Sequence, residues 1–240
     1  MSRDGAPKAA LSPAEMRALK TRAMRIDSVL TRLYGRKEVD GEEDPVDTLV
    51  ETILSQNTTD RNSHKAFQAL KRTYPRWEGM LGESPKRVAA LIRSGGLADI
   101  KARRILKALE FITRSRGKMS LDFLRGMTPA EADRWLAQME GVGPKTRGII
   151  LLFALRMPAF PVDTHIHRVS RRLGLIGQKT SREKAQEELA NLVPQSEFYN
   201  FHINLIEHGR AICQARKPKC SECKIRRLCD YFSKCAQGRS

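Results

Sequence analysis

The chain has 240 residues, 40% of them hydrophobic, which is enough to bury a core as one large domain or two small ones. Its 44 lysines and arginines exceed its 27 aspartates and glutamates, and the formal net charge is +17. So strong a positive charge indicates a polyanionic partner, above all nucleic acid, with a merely solvated basic surface as the alternative explanation. No apolar run approaches the roughly 20 residues of a membrane span, so we expect a soluble protein.

At the N-terminus, residues 1–10 lack the apolar segment of a secretory signal and include Asp4, so we predict a loose basic tail. Four signals for the start of a helix follow along the chain. Each places serine, threonine or aspartate directly before proline, which suits the N-cap and the first helical position. They are Ser12-Pro13 and Thr128-Pro129, each with glutamate three residues after the cap, Asp44-Pro45 and Ser84-Pro85.

Behind these signals, apolar residues recur at helical spacing, as in Val46, Leu49, Val50, Ile53 and Leu54. Patterns that alternate as in a β-strand are nearly absent. Proline and glycine divide the chain into about ten helical segments with short connections. We therefore predict an all-α protein, built as a compact bundle or as two packed helical domains.

Two segments between the early helices contain side chains of interest. Residues 54–60, Leu-Ser-Gln-Asn-Thr-Thr-Asp, include Gln56 and Asn57, and a polar helix end with Asn57 as its cap is the simplest interpretation. Further along, a turn at Gly96 and Leu97 presents an apolar side chain, which by itself requires no functional explanation. On these residues alone, neither segment identifies a binding site.

A turn with two glycines, Gly141 and Gly143, lies in residues 141–146, Gly-Val-Gly-Pro-Lys-Thr. Glycine permits a tight turn, and the free N–H groups at the start of the next helix suit a phosphate oxygen. A nucleotide-binding P-loop is excluded, because Pro144 stands directly before the lysine and Met139 stands where that motif requires a glycine. An ordinary turn between two helices remains the alternative.

The lysine of this turn, Lys145, begins a helix whose next residues are apolar. The positive helix end and the apolar surroundings both favour its uncharged amine, which can attack an electrophilic sugar carbon. Asp163, in the irregular segment Pro-Val-Asp-Thr-His of residues 161–165, is a candidate carboxylate partner. The alternatives are a solvated lysine that contacts phosphate and an aspartate that caps the following helix. For His165 we predict a phosphate-facing or buried, hydrogen-bonded ring rather than a metal ligand.

All five cysteines lie in the last 28 residues, a clustering that a disulfide framework spread across a secreted fold would not produce. We therefore expect an intracellular protein in a reducing compartment. Four of the thiols are separated by six, two and five residues. Four thiolates are enough for a closed zinc site or an iron-sulfur cluster, and their spacing alone does not distinguish zinc from iron. They are Cys213, Cys220, Cys223 and Cys229, whereas Cys235 lies outside the pattern and is predicted to be a free thiol.

Residues 140–146 and 162–166 together resemble the helix-hairpin-helix and catalytic segments of the endonuclease III family. The cysteine intervals are similar to those of the family's iron-sulfur loop, and the resemblance covers about residues 46–229. It implies a base-excision repair DNA glycosylase with abasic-site (AP) lyase activity. Lys145 would attack C1′ of a flipped-out nucleotide, and Asp163 would assist its deprotonation. The related adenine glycosylases, which only hydrolyse the base, lack a lysine at this position.

The resemblance also implies the remaining site residues. Gln56 or Asn57 would fill the gap left by the flipped base, and Leu97 would act as a wedge in the duplex. The four clustered cysteines would hold a 4Fe-4S cluster, with zinc as the alternative. The predicted phosphate contacts come from Gly141, Gly143, Thr146 and His165.

The family architecture implies two helical lobes, with DNA bound across the cleft between them. Residues 38–157 would form a six-helix barrel with the helix-hairpin-helix motif, and residues 158–240 the iron-sulfur lobe. Residues 1–37, the tail and N-terminal helix, would pack with that second lobe.

The implied partner is duplex DNA that contains oxidised pyrimidines, such as thymine glycol, or abasic sites. We expect a monomer of the cytoplasm or nucleoid that needs no membrane. Two alternatives remain open: a monofunctional or mismatch thymine or uracil glycosylase of the same fold, and a DNA-binding protein without catalysis.

Overall fold

The computed structural model describes residues 11–237, with side chains through residue 234. The predicted basic tail of residues 1–10 and the side chain of Cys235 lie outside the described residues. Within the described range the chain is helical and has no strand, which confirms the all-α prediction. None of the described helices has the length and apolar character that crossing a membrane requires.

Eleven α-helices account for most of the described chain, and short 3-10 turns or loops join them. In chain order they are α1 (Pro13–Tyr34), α2 (Pro45–Ser55), α3 (Asp60–Thr73), α4 (Pro85–Leu91), α5 (Ala98–Arg116), α6 (Pro129–Leu136), α7 (Pro144–Ile149), α8 (Thr164–Leu173), α9 (Arg182–Ala190), α10 (Phe198–Ala211) and α11 (Asp230–Gln237). Helix α7 continues into a π-helical turn, Ile150–Ala154. Single π turns inside helices are frequent at functional sites.

The four predicted start signals each begin a helix. The caps are Ser12 for α1, Asp44 for α2, Ser84 for α4 and Thr128 for α6. At Ser12 and Thr128 the glutamate three residues later accepts the cap's own N–H, which completes a capping box. Because each such cap contributes about 1 kcal/mol through local hydrogen bonds, these helix starts follow from the nearby sequence alone.

The chain divides into two compact units. Among the described residues, the first comprises 11–37 with 162–237, and the second comprises 38–161. Helices α2 to α7 belong to the second unit, where α2 and α5 supply fully buried side chains such as Leu49, Ile53, Ile105 and Leu109. These positions follow the helical periodicity seen in the sequence.

The first unit joins two distant parts of the chain, because α1 packs against α10. Helix α1 buries an apolar face, and beside it the Asn200 amide of α10 donates to Asp27 Oδ1 at 2.9 Å and to Thr31 Oγ1 at 2.8 Å. Asp27 is only 4% exposed. Burial raises the pKa of its carboxyl from 3.8 to about 6. Near pH 7 the fold therefore holds a buried charge.

Asp27→Asn is expected to stabilise the protein, and the gain should depend on pH. The raised pKa means that the folded state binds more protons than the unfolded state above pH 3.8, so stability falls as pH rises through 6. The neutral amide avoids this loss. We expect its gain in the free energy of unfolding to be about 1 kcal/mol larger at pH 8 than at pH 5. Denaturant unfolding followed by circular dichroism measures both values, and an equal gain at the two pH values would contradict the prediction.

Candidate active site

The turn between α6 and α7 has the geometry that its two glycines suggest. Gly141 has φ +81°, which favours glycine, and a Cβ there would lie 2.9 Å from the Arg104 side chain, which would have to shift. Gly143 is exposed, is the N-cap of α7, and supplies no side-chain cap. The first N–H groups of α7 are therefore free of a side-chain cap and suit an anionic oxygen. Thr146 is 3% exposed, which leaves its hydroxyl away from the surface.

Lys145 lies in the first turn of α7, is half-buried, and lines a cavity of about 660 Å³ within the second unit. That volume lies within the roughly 300–1,000 Å³ usual for small-molecule sites. The remaining walls come from α2, α3 and the π turn, where Phe153 contributes an aromatic face. A lysine thus borders a cavity that is large enough for a nucleobase.

The α2 wall of this cavity is polar. Thr48, Thr52 and Ser55 lie along one side of the helix, and Glu51 faces His64 of α3 with 3.9 Å between Oε1 and Nδ1. Partial burial raises the pKa of the Glu51 carboxyl above its ordinary value. The cavity therefore offers both donors and acceptors for hydrogen bonds. This wall was not predicted from the sequence, although polar residues at helical spacing on an otherwise apolar helix were a visible signal.

Gln56 and Asn57 differ in their surroundings. Gln56 is the C-cap of α2, and its side-chain oxygen accepts a hydrogen bond from Arg104 Nη1 at 2.8 Å. Asn57 is exposed and has φ +53°. The alternative in which Asn57 caps the helix is wrong, since Gln56 occupies that position.

Leu97 also has a left-handed backbone, with φ +48°, and its side chain is 51% exposed. Asparagine tolerates this conformation, whereas leucine adopts it rarely and under strain. An exposed apolar side chain on a strained backbone is typical of a residue that is held in place for binding.

In the first unit, Asp163 is the N-cap of α8, and its Oδ1 accepts the Ile166 N–H at 2.7 Å. The capping alternative for Asp163 is thus confirmed, although a carboxylate that caps a helix has a second oxygen for other partners. His165 is half-buried, and its Nδ1 lies 3.1 Å from Arg168 Nη2.

The four clustered cysteines are free thiols that line one cavity of the first unit. In the part of the chain that the structure describes, no three ligand-type side chains converge closely enough to hold a single ion.

Side chains from distant helices contact these sulfurs. Arg172 of α8 donates to Cys213 Sγ at 3.4 Å. His208 of α10 places Nε2 3.7 Å from Cys223 Sγ, and its Nδ1 lies 3.0 Å from the Tyr34 hydroxyl of α1. None of these three contacts was predicted from the sequence.

Burial shifts the pKa values of several groups that line this cavity. It raises the pKa of the Cys223 thiol to about 11, raises that of Cys229, and lowers the pKa of His208 to about 4. Thiolates in such surroundings need a cation to stabilise them, and metal binding supplies one. The donor set therefore fits a metal group with four thiolate ligands.

Comparisons with known proteins indicate the family to which the chain belongs. The HhH-GPD superfamily of base excision DNA repair proteins matches residues 50–195. The chain is 35% identical over 217 residues to endonuclease III of Synechocystis sp., which is 90% of this chain and 94% of that protein. For endonuclease III of Thermotoga maritima the identity is 32% over 197 residues, 82% of this chain and 88% of that protein. An Arabidopsis thaliana protein named provisionally as a DNA glycosylase is 37% identical, and the chain spans 60% of its length.

Solved structures show that this fold occurs in known DNA glycosylases. A trapped covalent intermediate of endonuclease III with DNA superimposes with a TM-score of 0.79 at 26% identity, over 90% of this chain and 98% of that one. A thermostable thymine-DNA glycosylase shares the fold, with a TM-score of 0.75 at 24% identity over 91% of this chain and all of that one. From the matched motifs, the extent of the identity and the shared architecture, the chain belongs to the endonuclease III family of HhH-GPD base-excision repair DNA glycosylases and AP lyases.

Proposed function

We propose that the protein is a bifunctional DNA glycosylase and AP lyase that removes oxidised pyrimidines from duplex DNA and cuts the strand at the resulting site. One observation carries the proposal. Half-buried Lys145 lies on the wall of a cavity that is large enough for a flipped-out base, directly after a turn suited to phosphate. A glycosylase that only hydrolyses the base needs no amine at this position.

In the proposed reaction, the Lys145 Nζ attacks C1′, the C1′–Nζ bond forms, and the glycosidic bond breaks. The base leaves with the bonding electron pair and acquires a proton. Ring opening gives a Schiff base, after which loss of a proton from C2′ breaks the C3′–O bond. Asp163 would take up the proton that the lysine releases and stabilise positive charge on the sugar. The cap bond to Ile166 would hold this carboxylate in a fixed orientation.

DNA would be held through its backbone and opened by two side chains. The backbone N–H groups of Lys145 and Thr146, the first that α7 offers after Pro144, would bind phosphate. Because Arg104 already engages Gln56, the exposed Asn57 is the better candidate to fill the gap, and the exposed Leu97 would wedge between bases. We propose that the protein acts on DNA as a monomer.

We propose a 4Fe-4S cluster, rather than a single zinc ion, for the cysteine cavity. The four thiols line one cavity, and their intervals are similar to those of the iron-sulfur loop in the endonuclease III family, to which the chain belongs. When bound, the cluster would supply metal-thiolate bonds that hold the C-terminal segment together. Arg172 and His208 would donate hydrogen bonds to the sulfurs, and the Arg172 guanidinium would offset part of their negative charge. Such a cluster requires a reducing compartment.

DNA binding should weaken steeply as salt increases. If about five phosphates are neutralised, affinity for undamaged duplex should fall about 10²- to 10³-fold between 50 and 200 mM salt, because each contact releases a counterion. Fluorescence anisotropy with a labelled duplex measures this slope. A flat response would contradict binding through the phosphate backbone.

One assay separates the proposed function from its alternatives. The protein is incubated with a duplex that contains thymine glycol, with and without borohydride, and free base, strand cleavage and covalent complex are each quantified. The bifunctional enzyme yields all three. Free base without strand cleavage or covalent complex identifies a monofunctional glycosylase. If none of the three products forms, the protein is a DNA-binding protein without catalysis. Parallel duplexes with a thymine or uracil mismatch determine whether oxidised or mismatched pyrimidines are the preferred substrate.

A further inference from the structure

One buried cation has no part in the proposed chemistry. Lys101, in the first turn of α5, is 1% exposed, and burial lowers the pKa of its amine. Its Nζ donates two hydrogen bonds, to the Leu54 carbonyl at 2.6 Å and to the Gly95 carbonyl at 2.7 Å. A lysine is almost never so buried unless its ammonium is satisfied, and here two backbone carbonyls satisfy it.

The two acceptors belong to separate segments of the second unit. Leu54 is in the last turn of α2, two residues before Gln56, and Gly95 ends the 3-10 turn two residues before Leu97. Gly95 also packs closely, since a Cβ there would lie 3.4 Å from the Ala66 Cβ. The Lys101 ammonium therefore ties the end of α2 to the start of the Leu97 turn.

Both tied segments lead into a residue with a left-handed backbone, a conformation that is strained for leucine and tolerated by asparagine. Among the described residues, three that are not glycine have positive φ, and two of them are Asn57 and Leu97. Strained conformations persist only where the surrounding structure holds them. Each of the two follows its Lys101-bound carbonyl by two or three residues, so this ammonium is well placed to hold both.

We propose that Lys101 is a positioning residue for duplex opening. It fixes two loops relative to each other, the loop after α2 that contains Asn57 and the loop before α5 that contains Leu97, so that both side chains enter DNA together. The inference rests on the proposed function for the DNA ligand and for the entry of the Asn57 and Leu97 side chains into it. It assigns to Lys101 no contact with DNA and no part in bond breaking. Without its ammonium, the two carbonyls lose their common donor and the loops can move independently.

Lys101→Met tests this, because methionine fills similar space but donates no hydrogen bond. The matched control is Leu109→Ala, a fully buried residue two turns further along the same helix and away from both loops. Thermal unfolding establishes that both variants fold. Duplex opening is then measured by 2-aminopurine fluorescence, in a duplex with the probe beside a stable tetrahydrofuran abasic analogue. This readout requires no catalysis, so failure of the proposed chemistry does not obscure the result.

We expect Lys101→Met to reduce the 2-aminopurine signal at saturating protein by at least about fivefold, while Leu109→Ala keeps it within about twofold of the wild type. Cleavage of an abasic site in single-stranded DNA needs no duplex opening, so its rate should stay within about threefold of the wild type in both variants. The rate of base release from duplex DNA should fall about tenfold or more in Lys101→Met alone. The inference is overturned if Lys101→Met opens the duplex normally, if it loses single-strand and duplex activity in equal proportion, or if the wild type opens no duplex.

Discussion

Replacing Lys145 by glutamine is expected to abolish the borohydride-trapped complex and to reduce strand cleavage at thymine glycol on the order of 10³-fold or more. Glutamine has no nucleophilic nitrogen, so the bond to C1′ cannot form, and both steps of the proposed reaction depend on it. Single-turnover kinetics on duplex DNA, with gel separation of the covalent complex, measures both effects. Because Lys145 lines the cavity in the second unit, its loss should leave folding unchanged.

The control for this result is Lys118→Gln, which removes the same charge from an exposed lysine outside the cavity. It should retain trapping and cleavage, with only a slightly smaller dependence of binding on salt. If Lys145→Gln trapped as much DNA as the wild type, another amine would be the nucleophile. If it lost cleavage but released base at the wild-type rate, Lys145 would act only in the lyase step.

The second large effect is expected for Cys220→Ala. With one ligand missing, the protein should lose its visible iron-sulfur absorbance, and residues 213–229 should be cleaved by protease at least about tenfold faster. Two described residues in this segment, Ile225 and Cys229, are buried and nonpolar, so little apolar packing replaces the metal bonds. Absorbance spectra, metal analysis and timed proteolysis with mass mapping measure the outcome. Zinc in place of iron in the wild type would contradict the cluster assignment.

Cys235→Ala is the matched control, because it removes a thiol outside the four-cysteine pattern. Absorbance and protection should both equal those of the wild type. If Cys220→Ala kept full protection in this segment, the metal would have no structural role there. If Cys235→Ala lost the absorbance, the ligand set would need reassignment.

Several features of this protein were determined by short stretches of sequence. Proline behind a capping residue, as at Asp44 and Thr128, specifies a helix start through bonds that form within one turn. Apolar periodicity predicts the buried faces of α2 and α5, because the apolar stripe of each helix packs against the core and away from solvent. The glycine turn before Lys145 and the spacing of the four cysteines are local as well, so fold class and family followed without coordinates.

Other features were decided by tertiary structure alone. The bond from Lys101 to Leu54 spans 47 residues, and the one from Asn200 to Asp27 spans 173. The wall formed by Glu51 and His64 arises from the packing of α2 against α3. For Lys101 and for Asp27 a polar group is buried beside a partner that is remote in the chain, and the energy of a buried polar group depends on that partner. Local patterns establish which helices form, whereas the residues that position and tune the site become visible only once the helices pack.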